Sequence, residues 1–333
     1  MTIALNRQIQ LASLPTGKLG PEHFQLAEAP MPVPADGEVL LKVLLISLDA
    51  ANRAWMQGAT YRAALAAGQV MAGGSISEVV ASNAPGFAPG DLVFADTGWQ
   101  THAALPAKLL TKQTRRGPLS HLLSVYGIAG LTDYLGLLQM GRPKAGDTVV
   151  VSAAAGSVGS LVGQIAKIQG CRVVGIAGGA AKCAWLQTEL GLDAVVDYKA
   201  GNLNGQLKAA APAGIDVYFD NVGGDILEAC LFRMNLGGRV ACCGAVSQYD
   251  GAPPAHGPRG VPGLIVTKRL TLQGFVLFDF AAQFDAALGV LQGWVDGGRL
   301  KVPEDIIDGL EHTPQALIGL LAGENVGKRM VRV

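Results

Sequence analysis

The chain has 333 residues, and its 26 Lys and Arg balance its 26 Asp and Glu, which gives a formal net charge of zero. This balance argues against a nucleic acid or an anionic membrane as the partner, because both favour a basic surface. The sequence has no apolar run of about 18 residues, and its start shows no basic segment followed by an apolar run. We therefore expect a cytoplasmic protein that acts on a small molecule.

The length exceeds the roughly 250 to 300 residues at which a single core stops growing, so two domains are expected. Residues 1–122 carry short β-rich runs, such as Glu38 to Ile46, between segments rich in Pro and Gly, which is typical of a barrel-like β domain. The end of the chain returns to short strands, and Lys328 to Val333 is predicted to be an edge strand of the same domain. We therefore assign residues 1–122 and 300–333 to one domain.

Between residues 123 and 299, strands alternate with helical stretches, which predicts an α/β domain with a parallel sheet and crossover helices. The predicted strands are Thr148 to Ser152, Arg172 to Ile176, Ala194 to Asp197, Val217 to Asp220, Arg239 to Cys243 and Leu272 to Leu277. Six such strands form a complete doubly wound sheet of the kind that binds dinucleotides.

A glycine loop follows the first of these strands, where the chain reads Ala154-x-Gly156-x-x-Gly159 and then continues as a helix to about Gln169. Gly156 lets the backbone approach a pyrophosphate, the helix N-terminus offers free N–H groups, and Gly159 allows the helix to pack closely on the sheet. Ala154 replaces the usual first glycine. We predict a dinucleotide site here, and a Gly and Ala turn without a ligand is the alternative.

The choice of cofactor depends on the end of the second strand, where an NAD site uses Asp or Glu to hold the ribose 2′-hydroxyl. Here residues 175–182 contain no carboxylate and end in Lys182, and Tyr198 follows the third strand. A neutral glycine-rich turn with a nearby cation and a hydroxyl donor suits a 2′-phosphate. We therefore predict NADP(H), although Lys182 alone also fits an ordinary solvated lysine at a helix start.

The five cysteines all lie in the second half of the chain, on predicted strands and helices, at positions 171, 183, 230, 242 and 243. In this setting buried reduced thiols are expected rather than disulfides or a metal site. Cys242 and Cys243 are adjacent in a strand and should point to its opposite faces.

Taken together, several segments resemble the zinc-independent medium-chain dehydrogenase/reductases, in the group of prostaglandin reductases, alkenal double-bond reductases and curcumin reductase. They include Ser47 to Asp49, Ala153 to Gln164, Asp220 to Gly224, Cys243 to Tyr249 and Glu324 to Lys328. The resemblance implies a Rossmann doubly wound parallel sheet and a GroES-like β-barrel catalytic domain. It also implies a homodimer, in which the sheet edge near Leu272 to Leu277 pairs with a second copy.

The resemblance further implies a set of residues that contact NADP(H). They are Thr132, Gly156, Ser157, Val158, Gly159, Ser160, Lys182, Tyr198, Asn221, Cys243, Gly244, Ala245, Val246, Ser247, Tyr249, Phe275, Val276, Leu277 and Asn325. Simpler roles remain open for three of them. Asn221 and Asn325 each precede a glycine turn that an Asn can stabilise, and Phe275 fits an ordinary core position.

Zinc-dependent relatives carry a cysteine ligand and a Gly-His-Glu motif in the first domain. This chain has no cysteine before residue 171 and reads Val70 to Ile76 in the equivalent stretch, so no metal is expected. Without a Lewis acid an alkoxide loses its usual stabilisation. Reduction of an activated C=C bond needs less, because hydride adds to the β-carbon and negative charge collects on the carbonyl oxygen. The resemblance thus implies an NADPH-dependent reductase of α,β-unsaturated aldehydes or ketones.

Tyr249, in the loop after the fifth predicted strand, is the predicted catalytic residue, which hydrogen-bonds that oxygen or delivers the proton. A phenol that only packs over the nicotinamide is the alternative. Tyr61, Trp55 and Tyr249 are predicted to face the substrate, although an exposed loop position fits Tyr61 equally well. Two other functions stay open: an NADPH quinone reductase, and a non-catalytic, crystallin-like protein that binds the cofactor.

Overall fold

Two sheets organise the computed structural model, which describes residues 5–60, 62–251 and 256–333. The parallel sheet consists of β8 (Thr148–Ser152), β9 (Arg172–Ala177), β10 (Ala194–Asp197), β11 (Ile215–Asp220), β12 (Met234–Cys242) and β13 (Thr271–Gly274). Its strand order is β10-β9-β8-β11-β12-β13, which is a doubly wound arrangement. The six predicted parallel strands are therefore present.

The second sheet combines the first third of the chain with its end. It contains β3 (Glu38–Ser47), β4 (Ser75–Ser82), β5 (Leu92–Ala95), β6 (His102–Pro106), β7 (Thr111–Lys112), β14 (Glu304–Asp308) and β15 (Lys328–Arg332), while β1 (Leu5–Leu11) and β2 (Phe24–Pro30) form a separate antiparallel pair. All its pairings are antiparallel except that between β14 and β15.

The helices of the described residues connect these strands. They are α1 (Ala51–Ala54), α2 (Ile128–Leu135), α3 (Ser157–Ile168), α4 (Ala180–Thr188), α5 (Leu203–Ala210), α6 (Gly224–Arg233), α7 (Val261–Lys268), α8 (Phe284–Asp296) and α9 (Thr313–Leu321), and a π-helix spans Gly136–Gly141. None of them is long and apolar enough to cross a membrane.

The parallel sheet is buried on both faces, as expected where crossover helices cover a sheet. Every residue of β8 is buried, and its valines alternate between the two cores: Val149 and Val151 contact one, and Val150 contacts the other. Cys243 packs against the first core and Cys242 against the second, so the two neighbouring thiols point to opposite sides as predicted.

The prediction that the C-terminal strand lies at a sheet edge is wrong. β15 lies between β14 and β3, and β14 forms the edge. The basic residues of β15 suggest exposure, but Lys328 and Arg329 are 2% and 7% exposed, and Met330 and Val331 are fully buried. The edge strand β14 instead carries three acidic residues, which suits an edge because charge discourages pairing with another chain.

The last parallel strand is shorter than predicted. β13 ends at Gly274, and Leu277 begins a 3-10 helix that runs to Gln283. Phe275 follows the strand and turns its ring into the core, where it packs edge-on against Phe219 with 6.3 Å between the ring centroids. The apolar residues after Gly274 therefore continue the apolar pattern without continuing the strand.

Candidate cofactor and active site

A cleft with a volume of about 1470 Å³ lies at the carboxyl ends of the parallel strands. It is lined by the loops that follow β8, β9, β11 and β12, and by Leu48 to Ala51 of the antiparallel-sheet region. The strand order reverses between β8 and β11, and ligands of open α/β sheets bind at such a switch point. The cleft is therefore the candidate site.

The glycine loop has the shape that a pyrophosphate requires. Gly156 caps the N-terminus of α3 and lines the cleft. A Cβ atom at Gly159 would lie 2.3 Å from the carbonyl oxygen of Ala153, so only glycine allows this approach of helix and loop. The strain of the turn falls on Ala153, which has a φ of 48°, whereas the predicted substitute Ala154 is a buried core residue with no positive φ.

Ser157 supplies an observation that favours a ligand at this loop. Its hydroxyl oxygen is buried and has no hydrogen-bond partner among the residues that the structure describes. Buried polar groups are normally hydrogen-bonded, so an unpaired hydroxyl at a helix N-terminus suggests a missing acceptor. A phosphate oxygen matches that need, because the helix end attracts negative charge.

Lys182 and Tyr198, which the sequence predicted to bind the 2′-phosphate, both line the cleft. The part of the cleft around these two residues is called the Lys182 corner below. The Lys182 ammonium group donates hydrogen bonds of 2.6 Å to the carbonyl oxygens of Gly323 and Asn325. Burial lowers the pKa of Lys182, and the nearby cations Lys199 and Arg329 lower it further. Lys182 is thus not a free solvated lysine, since it joins the parallel-sheet region to the C-terminal segment.

Lys199 is a second cation near this corner that the sequence analysis did not identify. A Cβ atom at Gly178 would lie 2.9 Å from the Lys199 side chain and 2.9 Å from the Tyr198 ring, so both side chains pack over this glycine. Asp197 accepts from the backbone N–H groups of Gly179 at 2.8 Å and of Lys199 at 3.0 Å. The Asp197 carboxylate, at the end of β10, therefore joins the turn that follows β9 to the turn that follows β10.

Two predicted asparagines line the cleft, but their side-chain amides bond to the protein. Asn221 donates to the carbonyl oxygen of Ser152 at 2.8 Å, which ties the ends of β11 and β8 together. Asn325 donates to the carbonyl oxygen of Gly327 at 2.8 Å. These contacts match the turn-stabilising alternative, and each side chain retains an amide oxygen that can accept a further hydrogen bond.

Asp220, which precedes Asn221, organises the same loop and was not predicted as a site residue. One of its carboxylate oxygens accepts from the Tyr218 hydroxyl at 2.7 Å and from the Gly223 N–H at 2.9 Å. The aspartate is only 2% exposed. The sequence did offer a signal, because Asp220 is an acid at the end of a predicted apolar strand and shortly before a Gly-Gly turn.

Tyr249 lines the cleft, and its phenolic oxygen accepts a hydrogen bond of 3.2 Å from the N–H of Ala245. This contact folds the side chain back over its own loop. A phenol has one proton to donate and two lone pairs. With one lone pair occupied by Ala245, the O–H group stays available to donate to a carbonyl oxygen in the cleft.

Asp49 lies on the wall of the cleft nearest the antiparallel sheet and forms an ion pair with the buried Lys328. Lys328 is 2% exposed and also donates to the carbonyl oxygen of Leu48 at 3.0 Å, while the Ser47 hydroxyl donates to Asp49 at 2.6 Å. Removal from water opposes ionisation of Asp49, but Lys328 and Ser47 lower its pKa below the ordinary value. The wall therefore carries a carboxylate.

The other described site residues that the sequence predicted are not among the residues that line the cleft: Trp55, Thr132, Ser160, Ala245, Phe275, Val276 and Leu277. Trp55 is 9% exposed, and its ring stacks with the guanidinium of Arg62 at 4.3 Å. The Phe275 ring contacts Gly136, where a Cβ atom would lie 2.2 Å away, so its side chain is part of the core. Tyr61 lies outside the described residues.

Asp133, next to Thr132 on α2, is a further residue that the sequence analysis missed. It is fully buried, and within the described chain neither of its carboxylate oxygens has a hydrogen-bond partner. Burial raises the pKa of Asp133 well above its ordinary value, although Lys328 acts in the opposite direction. An isolated acid in the apolar run from Leu122 to Gly141 was its signal.

Known proteins match almost the whole chain. Residues 7–113 match a family described as the N-terminal domain of oxidoreductase, and residues 157–292 match one described as zinc-binding dehydrogenase. The NADPH-dependent curcumin reductase of Escherichia coli is 42% identical over 98% of this chain and 97% of its own length. The NADP⁺-dependent 2-alkenal reductase of Nicotiana tabacum is 37% identical over 98% of this chain and 97% of its length.

A solved structure also matches the chain over almost its whole length. CurA of Vibrio vulnificus, in complex with NADPH, has a TM-score of 0.94 at 40% identity and covers 98% of this chain and 99% of its own. The chain belongs to the medium-chain dehydrogenase/reductase family. Its group contains the curcumin, alkenal and prostaglandin reductases, so the predicted family and fold class are confirmed.

One of the two matching families is named for zinc binding. Across residues 5–60, 62–251 and 256–333, the structure contains no group of three or more His, Cys, Asp or Glu side chains that could hold a metal ion. All five cysteines are free thiols that are buried or half-buried. Burial raises the pKa of Cys171 and Cys242 to about 11, so both stay protonated at neutral pH.

Proposed function

We propose that this protein is an NADPH-dependent reductase of the C=C bond in α,β-unsaturated aldehydes and ketones. The observation that carries the proposal is the Tyr249 phenol, which lines the cofactor cleft with its oxygen fixed by Ala245 and its proton free to donate. The names of the relatives, which include a curcumin reductase and a 2-alkenal reductase that use NADP, support the same reaction class.

The residues of the cleft fit NADPH. Gly156 and the unpaired hydroxyl of Ser157 are proposed to hold the pyrophosphate, and Lys182, Tyr198 and Lys199 are proposed to hold the 2′-phosphate. The other cofactor contacts predicted from the sequence are retained as part of this proposal. When bound, NADPH supplies the hydride that adds to the β-carbon of the substrate.

Tyr249 is proposed to act at the carbonyl oxygen. As the β-carbon gains hydride, negative charge moves to that oxygen, and the phenol donates a hydrogen bond or its proton to the enolate. A proton finally reaches the α-carbon, which gives the saturated carbonyl compound. Positioned acids of this kind contribute about 10²- to 10⁴-fold to the rate.

The test is steady-state turnover of a simple enone by the wild type and by Tyr249→Phe, with the product identified. We expect a saturated carbonyl product and a loss of about 10²- to 10⁴-fold in kcat for the variant, with unchanged NADPH affinity. A loss below about threefold would reject the acid role and favour the packing alternative. Turnover of a small quinone but not of the enone would instead establish the quinone reductase.

Three further predictions from the sequence belong to this proposal. A catalytic domain of residues 1–122 and 300–333 around a dinucleotide domain of residues 123–299 is supported by the two sheets and the matched segments. A homodimer is supported by the position of β13 at the edge of the parallel sheet, and sedimentation of a monomer at micromolar concentration would contradict it. The cytoplasmic location stays a prediction from the sequence.

A further inference from the structure

The loop that carries Tyr249 is held from two sides. On one side, the Ser247 N–H and hydroxyl donate to the carbonyl oxygen of Val222 at 3.1 and 2.6 Å, which fixes the middle of the loop on the segment that follows β11. On the other side, the side-chain amide of Gln57 donates to the carbonyl oxygen of Tyr249 at 3.0 Å. Tyr249 therefore stands where the two regions of the molecule meet.

Asp250, the next residue, is bound more firmly to the N-terminal part of the chain. One of its carboxylate oxygens accepts from the Leu19 N–H at 2.7 Å and from Nε of Arg53 at 3.1 Å. Arg53 also donates from Nη2 to the carbonyl oxygen of Gly17 at 2.7 Å. A single carboxylate oxygen thus receives donors from α1 and from the segment around residue 19.

This ion pair is shielded from water, because the Arg53 side chain is 2% exposed and the Asp250 side chain 12%. Exposed ion pairs contribute little, but removing one partner of a buried pair leaves an uncompensated charge, so the geometry is strongly enforced. Arg53 does not line the cleft, whereas Asp250 and Tyr249 do. Arg53 is therefore placed to act on the site through Asp250.

We propose that Arg53 is a positioning residue, which fixes Asp250 and thereby holds the Tyr249 phenol in the orientation that donates to the substrate oxygen. The inference rests on the proposed function of Tyr249. Asp250 is bonded directly to Tyr249, so a fixed carboxylate restricts the backbone from which the phenol projects. Misplacement of a reacting group by about 1 Å can cost about 100-fold in rate.

The test is a double-mutant cycle of Arg53→Met and Tyr249→Phe, measured as kcat and KM for a simple enone, NADPH Kd and melting temperature. In the wild-type background, Arg53→Met is expected to lower kcat by about 10- to 100-fold while NADPH Kd changes by less than about threefold. In the Tyr249→Phe background, the same substitution should lower kcat by less than about threefold, because the group that it positions is already lost.

Asp250→Asn provides a second variant in case Arg53→Met does not fold. It keeps the shape and an acceptor oxygen but removes the charge, and its effect should also disappear in the Tyr249→Phe background. Asp147→Asn is the matched control. Asp147 pairs with Arg239 at 2.6 Å with comparable shielding, but it precedes β8 at the opposite end of the sheet from the cleft. This control should leave kcat within about twofold of the wild type.

Equal losses of kcat from Arg53→Met in both backgrounds would overturn the positioning role while leaving the acid role of Tyr249 intact. A similar loss from Asp147→Asn would also overturn it, because the effect would then be a general consequence of a broken ion pair. Full enone turnover by Tyr249→Phe would refute the acid role itself, and the positioning proposal would fall with it.

Discussion

The glycine loop at residues 153–159 and the Tyr249 loop at residues 243–250 both lie at the carboxyl ends of the parallel strands, but they are held in different ways. The first is shaped by its own backbone, through the positive φ of Ala153 and the contact between Gly159 and Ala153. The second is held by side chains from remote parts of the chain, such as Gln57. The glycine loop is thus shaped mainly by local backbone geometry, with a remote contact from the Gly327 N–H to the carbonyl oxygen of Ala155 at 2.8 Å, whereas the Tyr249 loop depends on the assembled fold.

This contrast predicts that the glycine loop is the more sensitive to a change of one atom. A Cβ atom at Gly159 would lie 2.3 Å from a backbone oxygen that cannot move without opening the turn. Gly159→Ala should therefore weaken NADPH binding by more than about 100-fold, because a misplaced helix N-terminus loses several hydrogen bonds to phosphate. Isothermal titration calorimetry with NADPH measures this loss.

Gly163→Ala, one turn further along α3, is the matched control for that experiment. A Cβ atom at Gly163 would meet the Leu192 side chain at 3.4 Å, an ordinary contact distance. Alanine also favours a helix over glycine by about 1 kcal/mol, so this variant should fold and bind NADPH like the wild type. If both alanine variants bound NADPH normally, the close approach at Gly159 would have no role in the shape of the site.

The same contrast explains which parts of the molecule could be predicted from the sequence. The strands β8 and β10 and the glycine loop follow from local patterns, because both strands are short runs rich in valine and a tight turn needs glycine. The burial of Lys328 could not be predicted this way, since its partner Asp49 lies about 280 residues earlier in the chain. The pair of Arg53 and Asp250 escaped prediction for the same reason.

The Lys182 corner follows a local glycine-rich turn and is also held by contacts to the remote C-terminal segment. A substitution there should have an effect on NADPH binding of intermediate size. The Lys182 ammonium group bonds to two carbonyl oxygens of the C-terminal segment and is also the proposed partner of the 2′-phosphate. Lys182→Met keeps the apolar stem and removes the charge. We expect NADPH Kd to rise by about 10- to 100-fold, the range for a hydrogen bond to a charged group, while NADH Kd changes little.

Lys199→Met distinguishes the roles of the two cations at this corner. Lys199 packs over Gly178 and makes no described hydrogen bond to the C-terminal segment. Fluorescence titration with both cofactors gives the comparison. If Lys182→Met weakened NADPH and NADH equally, the lysine would serve mainly to join the two regions. A selective loss of NADPH in either variant would identify the cation that recognises the phosphate.

The smallest predicted effect concerns the strained alanine of the glycine loop. At a φ of 48°, Ala153 adopts a left-handed conformation that costs a residue with a Cβ atom about 1 to 2 kcal/mol, whereas glycine adopts it freely. Ala153→Gly should therefore raise the free energy of unfolding slightly, by about 0.5 kcal/mol after the extra flexibility of the unfolded chain is subtracted. NADPH affinity should not change.

Ala154→Gly is the control, because Ala154 is fully buried and has no positive φ. This change removes a packed methyl group and adds flexibility to the unfolded chain, so it should lower the free energy of unfolding by about 1 kcal/mol or more. Urea unfolding of the two variants gives the difference directly. If Ala153→Gly were the less stable of the two, the turn would not be strained at Ala153, and the loop would owe its shape to contacts outside itself, as the Tyr249 loop does.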